Sequence, residues 1–195
     1  MKLFWLWPVS IGLLFAQEAT LPPPGYGSLR QEQIGIRLGD ARLSVRVMPL
    51  DEHVTRLLAP DAWRSLRDMK ASRAVDIAAA ARQEGQDSLS AFMVTFFALQ
   101  PDVRFDPDAL IITSQNRTFR PVGIVPITPR FSEGTIEQRQ QAAAIYLFDP
   151  AIDVSRQMTV EYAGRSSDAW IDALRQLNAE RVRVLARASQ QQGQP

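Results

Sequence analysis

The segment from Leu89 to Leu99 restricts the fold of this chain more than any other stretch. Its sequence, LSAFMVTFFAL, is apolar at nearly every position. Successive side chains of a β-strand point to opposite faces, so both faces of this strand are apolar. A strand with two apolar faces is normally covered on both of them. The segment therefore predicts a central strand between an opposing sheet and a second layer, which we expect to be a helix over 61–84.

Six further segments have strand-like patterns. Residues 143–148 are apolar on both faces, like 89–99, and we place each of the two at the centre of its own sheet. The others lie at 34–38, 43–47, 110–113, 118–127 and 158–162. Proline cannot donate to a strand ladder, so the two prolines within 118–127 predict an edge strand. About seven short antiparallel strands indicate an immunoglobulin-like β-sandwich, although the Cys–Trp–Cys signature of true immunoglobulin domains is absent.

The first two strands predict a hairpin with a definite register. Gly39-Asp40 suits a two-residue turn. Such a turn would place Leu38 opposite Ala41 and Ile36 opposite Leu43, with the apolar residues on one face.

Helical patterns predict one insertion and one terminal helix within a single domain. The insertion covers about 51–84, after the hairpin, with Gly85 as its stop. The terminal helix covers about 167–188, and its apolar side contains Trp170, Ile171, Leu174, Leu177, Val182 and Leu185. The domain is expected to span 31–188, followed by a disordered polar tail at 189–195.

The N-terminus predicts export. Lys2 precedes an apolar run from Leu3 to Ala16. This run is shorter than the roughly 20 residues of a membrane span and fits a signal peptide, with about 7–15 apolar residues and a small residue before the cut. We therefore expect a cleaved signal over 1–16, a flexible Pro/Gly-rich linker over 17–30 and a periplasmic or secreted mature protein. Contact with the membrane is expected only through this N-terminal segment before cleavage. The alternatives are an uncleaved anchor and a buried N-terminal strand.

Composition excludes several classes of site. The chain has no cysteine and one histidine, His53, so thiol chemistry and multi-histidine metal sites are excluded. Its 22 basic and 21 acidic residues form no basic stripe, which argues against a nucleic-acid partner. No nucleophile elbow or phosphate loop is present, and no motif predicts a cofactor.

Acidic loops are the candidate metal sites. Two Phe-Asp-Pro triplets, at 105–107 and 148–150, each follow a predicted strand. If the loops lie at one end of the sandwich, one of them could bind calcium through its carboxylates. The candidate ligands are either Asp102, Asp106 and Asp108, or Asp149 and Asp153. The simpler interpretation is that Asp-Pro initiates turns. A hydrolase would need two of the acids to converge, from a set comprising Asp106, Glu133, Asp149 and Glu161.

Two surfaces are candidate partner sites. Arg117, Arg120 and Arg130 flank the proline-bearing edge strand and could meet an acidic partner, or could protect the edge against unwanted pairing. Trp170, Leu174 and Leu177 could form an exposed helix face, or could dock on the parent domain.

Taken together, these patterns predict an exported, non-catalytic binding or structural module of the cell envelope, with an envelope protein as its partner. The alternatives are a carboxylate-dependent hydrolase acting on polysaccharide or peptide, and a module that binds a small ligand or calcium. The sequence gives no prediction of the oligomeric state.

Overall fold

A computed structural model of the protein describes residues 21–192, so the predicted signal peptide lies outside the described part. Within this part, eleven strands form two antiparallel sheets and a short ribbon. The strands are β1 Ile36–Gly39, β2 Leu43–Pro49, β3 Ser90–Ala98, β4 Val103–Arg104, β5 Leu110–Ser114, β6 Arg117–Phe119, β7 Gly123–Pro126, β8 Thr135–Ile136, β9 Gln141–Phe148, β10 Met158–Tyr162 and β11 Arg165–Ser167. The helices are α1 Gln31–Ile34, α2 Glu52–Thr55, α3 Pro60–Ser72, α4 Ala74–Gln83 and α5 Trp170–Gln192, with short 3-10 turns at Pro107–Ala109 and Pro129–Glu133.

The strand order confirms a mostly β fold with helical additions. One sheet has the order β1-β2-β3-β9-β7, the other β11-β10-β5-β6, and β4 pairs with β8. Aromatic rings fill the space between the two sheets. Phe96 of β3 stacks on Phe105 with ring centroids 4.5 Å apart, and meets Tyr162 of β10 edge-on at 5.4 Å. These contacts join the two layers of a β-sandwich.

Both faces of β3 and β9 carry buried side chains. On the inner face of β3, Phe92, Val94, Phe96 and Ala98 are inaccessible, and every residue from Ala142 to Phe148 of β9 is buried. The two strands are neighbours in one sheet rather than the centres of two. The outer cover of β3 is also incomplete, because Phe97 is 37% exposed.

The first hairpin differs from the predicted register by four residues. Ile36 pairs with Val47 instead of Leu43. The side chain of Asp40 accepts hydrogen bonds from the N–H groups of Arg42 (2.8 Å) and Leu43 (3.0 Å), and this loop replaces the two-residue turn. A shift of four residues keeps every side chain on its face, so the alternation alone does not distinguish the two registers.

The helical insertion consists of three helices. Asp51 caps α2 by accepting a hydrogen bond from the N–H of His53 (2.7 Å). The helix expected over 61–84 is divided at Arg73 into α3 and α4. Arg73 donates a hydrogen bond from its guanidinium to the carbonyl oxygen of Ile127 (3.3 Å), which ties the break to the end of β7. Gly85, with φ +65°, follows α4 as predicted.

The strand expected over 118–127 is two strands. β6 is an edge of the four-stranded sheet and β7 is an edge of the five-stranded sheet. Pro121 lies in the connection where the chain crosses between the sheets, and Pro126 ends β7. Both prolines therefore lie at positions where a missing N–H costs little.

The N-terminal segment, residues 21–30, is packed against the domain, although the sequence predicts a flexible linker there. Leu29 donates to the carbonyl oxygen of Leu57 (3.2 Å) and accepts from the N–H of Ala59 (2.9 Å). Gly27 is buried, and a Cβ atom at this position would overlap the backbone of Leu57 and Leu58. Gly27 thus allows a close approach of two backbones, which a residue with a side chain would prevent.

Helix α5 holds the same segment from the other side. The side chain of Glu180 is inaccessible, and one of its carboxylate oxygens accepts hydrogen bonds from the N–H (2.9 Å) and hydroxyl (2.8 Å) of Ser28. The guanidinium of Arg187 donates to that oxygen (3.0 Å) and also to the carbonyl oxygen of Tyr26. Burial raises the pKa of Glu180, but the hydrogen bonds from Ser28 and Arg187 outweigh it and lower the pKa.

The buried face of α5 is the predicted one at Trp170 and Leu177, but it differs from the prediction after Leu177. Val182 and Leu185 are exposed, whereas Glu180 and Val184 are buried. A fully buried glutamate breaks the apolar stripe that sequence reasoning follows. The helix continues through Gln192, so residues 189–192 of the expected disordered tail are helical.

Replacing Gly27 tests the docking of the N-terminal segment. We expect Gly27→Ala to lower the free energy of unfolding by about 3 kcal/mol, because the new methyl group overlaps rigid backbone. Gly25→Ala is the control, since a Cβ at Gly25 (φ +89°) meets no atom within 4 Å, and its conformational cost is about 1 kcal/mol. Urea unfolding measures both variants, and equal losses would contradict the docking.

Replacing Glu180 tests the buried carboxylate. Glu180→Gln should lower the free energy of unfolding by about 2–3 kcal/mol near pH 7, because Arg187 loses its buried partner. Since the folded-state pKa is lowered from 4.5, this stabilisation is present above pH 4.5 and is lost as the pH falls through the folded-state value. The variant should therefore show a smaller acid-induced loss. The exposed control Glu84→Gln should change stability by less than about 0.5 kcal/mol, and identical pH profiles for wild type and Glu180→Gln would refute the assignment.

Candidate functional site

A groove of about 410 Å³ lies between the helical insertion and the start of β3. Its walls are mostly aliphatic, with one aromatic residue, Trp63. Volumes of about 300–1,000 Å³ with apolar walls and a few polar groups are typical of small-molecule sites. The lining residues are Leu50, Glu52, Thr55, Trp63, Leu66, Arg67, Lys70, Ala71, Ala74, Ile77, Ala78, Ala81, Asp87, Ser88 and Leu89.

Small side chains on α3 and α4 create this space. Four of the groove-lining helix residues are alanines, so the helices present little volume towards the β3 end of the sheet. At its other side α4 lies close to β7, where a Cβ atom on Gly123 would be 3.3 Å from the Cβ of Ala80. Helix α4 thus packs closely against β7, and the groove remains open on the side that faces the start of β3.

Lys70 is the cation of the groove. Its side chain is half-buried, and its ammonium donates one hydrogen bond to the carbonyl oxygen of Leu50 (3.2 Å). No ion pair among residues 21–192 includes Lys70. An ammonium has three N–H donors, so two remain for a further acceptor.

Two other charges at the groove are already paired. The guanidinium of Arg67 lies 4.9 Å from the ring centroid of Trp63 and also bonds to Asp68 (3.0 Å). Glu52 forms an ion pair with Arg56. Asp87 is exposed at the mouth, where water screens its charge. Lys70 is therefore the cation that faces an apolar wall without a neutralising carboxylate within the described chain.

A smaller cavity of about 220 Å³ continues from Lys70 past Asp51, and a third of about 260 Å³ follows. The third is lined in part by His53, Asp153 and Arg181. Nδ1 of His53 lies 3.1 Å from Asp51. Burial raises the pKa of Asp153, but hydrogen bonds from Ser155 outweigh it and lower the pKa, so this acid is held as a structural carboxylate.

The predicted acidic loops do not converge. Asp149 follows the end of β9 that pairs with Ser90, whereas Asp102 follows the opposite end of β3. Nine strand residues separate these ends, a distance of roughly 30 Å. Across residues 21–192, no three acidic or histidine side chains are placed to share a metal ion.

The acidic side chains of these loops instead bond to backbone N–H groups nearby. Asp106 accepts from Asp108 (2.9 Å), Asp149 from Ala151 (2.7 Å) and Asp153 from Ser155 (2.8 Å). These are the local turns that Asp-Pro sequences favour.

The predicted arginine surface is divided between two places. Arg117 and Arg120 are exposed beside β6, and the guanidinium of Arg117 lies 5.1 Å from the ring centroid of Phe119. Arg130 lies in the 3-10 turn after β7 and pairs with Glu137 (3.6 Å). Arg117 and Arg120 therefore lie at an edge of the four-stranded sheet, whereas Arg130 follows the edge strand of the five-stranded sheet.

The predicted helix surface is directed into the domain. Trp170 is inaccessible and donates from its indole N–H to the carbonyl oxygen of Val154 (3.1 Å), and Leu177 is buried. Leu174 is partly buried against the core. A partner would meet these residues only if α5 left its position.

Sequence reasoning missed the groove, although one signal was present. Lysine occurs only at positions 2 and 70, in a chain whose other basic residues are all arginine. Lys70 falls at helical spacing from Leu66 and Ala74, on the apolar side of the predicted insertion, which sets it apart from a solvated lysine. Part of the alanine-rich stretch after it borders open space in the structure.

Comparisons with known proteins give no function for this chain, so the function has to be inferred from the groove. The chain matches no protein-family model, and neither the curated proteins nor the solved structures contain a significant match. Within residues 21–192, none of the helices combines the length and apolarity that crossing a membrane requires.

Proposed function

We propose that this protein is an exported binding module of the cell envelope, and that the groove between α3, α4 and the start of β3 receives its ligand. The apolar run from Leu3 to Ala16 supports export. The groove supports binding because it has the volume and the apolar walls of a small-molecule site. It also contains a cation, Lys70, that forms no ion pair within residues 21–192 and keeps two N–H donors.

A hydrolase has less support from the structure. The four carboxylates considered for it, Asp106, Glu133, Asp149 and Glu161, stand on separate elements, and none of them lines the groove. Acid–base catalysis on a glycoside requires two carboxyl groups within about 10 Å of each other across one site. The acids that do line the groove are Glu52, which is paired with Arg56, and exposed Asp87.

Filling the groove tests the proposal. Ala78→Trp places a large ring in the space while starting from an exposed position on α4. Val75→Trp is the matched control, since Val75 lies on the same helix, is 79% exposed and does not line the groove. The purified proteins are incubated with a small-molecule extract of cell envelopes and examined by native mass spectrometry. Thermal melting checks that both variants fold.

We expect wild type and Val75→Trp to carry the same added mass and Ala78→Trp to lose it, because the ring occupies the ligand's place. Retention of the added mass by Ala78→Trp, or its absence from wild type, would contradict the proposal.

A further inference from the structure

We propose that the ligand of the groove is an unbranched aliphatic monocarboxylate, whose chain lies along the aliphatic wall and whose carboxylate binds the ammonium of Lys70. This inference rests on the proposed function and adds the chemical class of the ligand.

The wall of the groove selects an aliphatic body. Leucine and isoleucine side chains, namely Leu50, Leu66, Ile77 and Leu89, form its larger surfaces, and alanines form the remainder of the helix side. The single aromatic ring, that of Trp63, already has the guanidinium of Arg67 over it at 4.9 Å. Burying a CH₂ group against such a wall contributes about 0.8 kcal/mol per group, so an alkyl chain gains affinity with each methylene that fits.

The charge of the groove selects an anionic head. Lys70 is half-buried, and the carbonyl oxygen of Leu50 takes one of its three N–H donors. A carboxylate accepts hydrogen bonds through both oxygens and can use the two that remain. Charge-assisted hydrogen bonds of this kind are the strong ones, especially where an apolar wall excludes water.

The charged residues of the groove favour a ligand whose head group has a single negative charge. The groove has one ammonium, that of Lys70. Of the carboxylates that line the groove, Glu52 is paired with Arg56 and Asp87 is exposed. A phosphate monoester carries up to two negative charges and three acceptor oxygens. The single ammonium of Lys70 would leave one charge unneutralised and at least one oxygen without a donor. A monocarboxylate matches the one cation that Lys70 supplies.

Paired ligands and paired variants test the inference. The probes are decanoate and decan-1-ol, used below their aggregation concentrations, because they share an alkyl chain and differ in the charge of the head. Binding is measured by isothermal titration calorimetry, because Trp170 emits together with Trp63 and the Trp variants add a further ring. The variants are Lys70→Met, which keeps a long apolar side chain without charge, and Lys70→Arg, which keeps the charge.

We expect wild type to bind decanoate more tightly than decan-1-ol. Lys70→Met should weaken decanoate binding by about tenfold to a hundredfold, the loss expected for a charge-assisted hydrogen bond, and leave decan-1-ol unchanged. Lys70→Arg should retain most of the affinity for decanoate. Ala78→Trp should bind neither probe, and Val75→Trp should bind both like wild type.

The outcomes separate the ligand class from the function. Equal binding of both probes, or no effect of Lys70→Met, would overturn the anionic head and leave the groove as an apolar site. Tighter binding of a short leucine peptide through its C-terminal carboxylate would overturn the free monocarboxylate. Failure of both probes, together with an envelope ligand whose binding Ala78→Trp abolishes, would overturn the inference and leave the proposed function intact.

Discussion

Most side chains on both faces of β3 and β9 are buried, although Phe97 on the outer face of β3 stays partly exposed. The opposing sheet covers the inner face, and α4 lies over the outer face where Ala80 is close to Gly123. Burying a single large apolar side chain contributes about 1.5–3 kcal/mol, so a sheet with two apolar faces needs both covers. The outer cover is seated where Ala80 meets Gly123 and is tied by Arg73 to Ile127. The groove exists because this cover fits closely at β7 and leaves space beside the start of β3.

Much of the fold can be predicted from the sequence, because buried positions recur with the period of the strand or helix and are occupied by apolar residues. The two-faced segments 89–99 and 143–148 and the alternating strand β10 were predicted within a few residues. The register of the first hairpin was predicted wrongly, because a shift of four residues leaves each side chain on the same face. The observed loop depends on hydrogen bonds to the side chain of Asp40, which the alternation of apolar residues does not reveal. The buried face of α5 was predicted wrongly after Leu177, because an apolar pattern passes over Glu180, which is buried.

The candidate site was less predictable than the fold, because a cavity is the space left between packed helices and strands and depends on how they are arranged. The sequence carries Lys70 and its alanine neighbours, but the open space beside them depends on how far α4 stands from β3. The acidic residues were conspicuous in the sequence for a local reason, as their carboxylates bond to backbone N–H groups two positions ahead. Residues that mark turns and residues that bind ligands are often of the same types, and only their placement separates them.

The most direct measurement of the central claim is the reactivity of Lys70 towards an amine-specific acetylating reagent. Lysine occurs in this chain only at positions 2 and 70, so peptide mass spectrometry reads the site without interference. We expect saturating decanoate to slow acetylation of Lys70 while the N-terminal amino group reacts at an unchanged rate. Protein acetylated at Lys70 should no longer prefer decanoate to decan-1-ol. Acetylation of Lys70 at the same rate with and without decanoate would show that Lys70 does not bind the carboxylate.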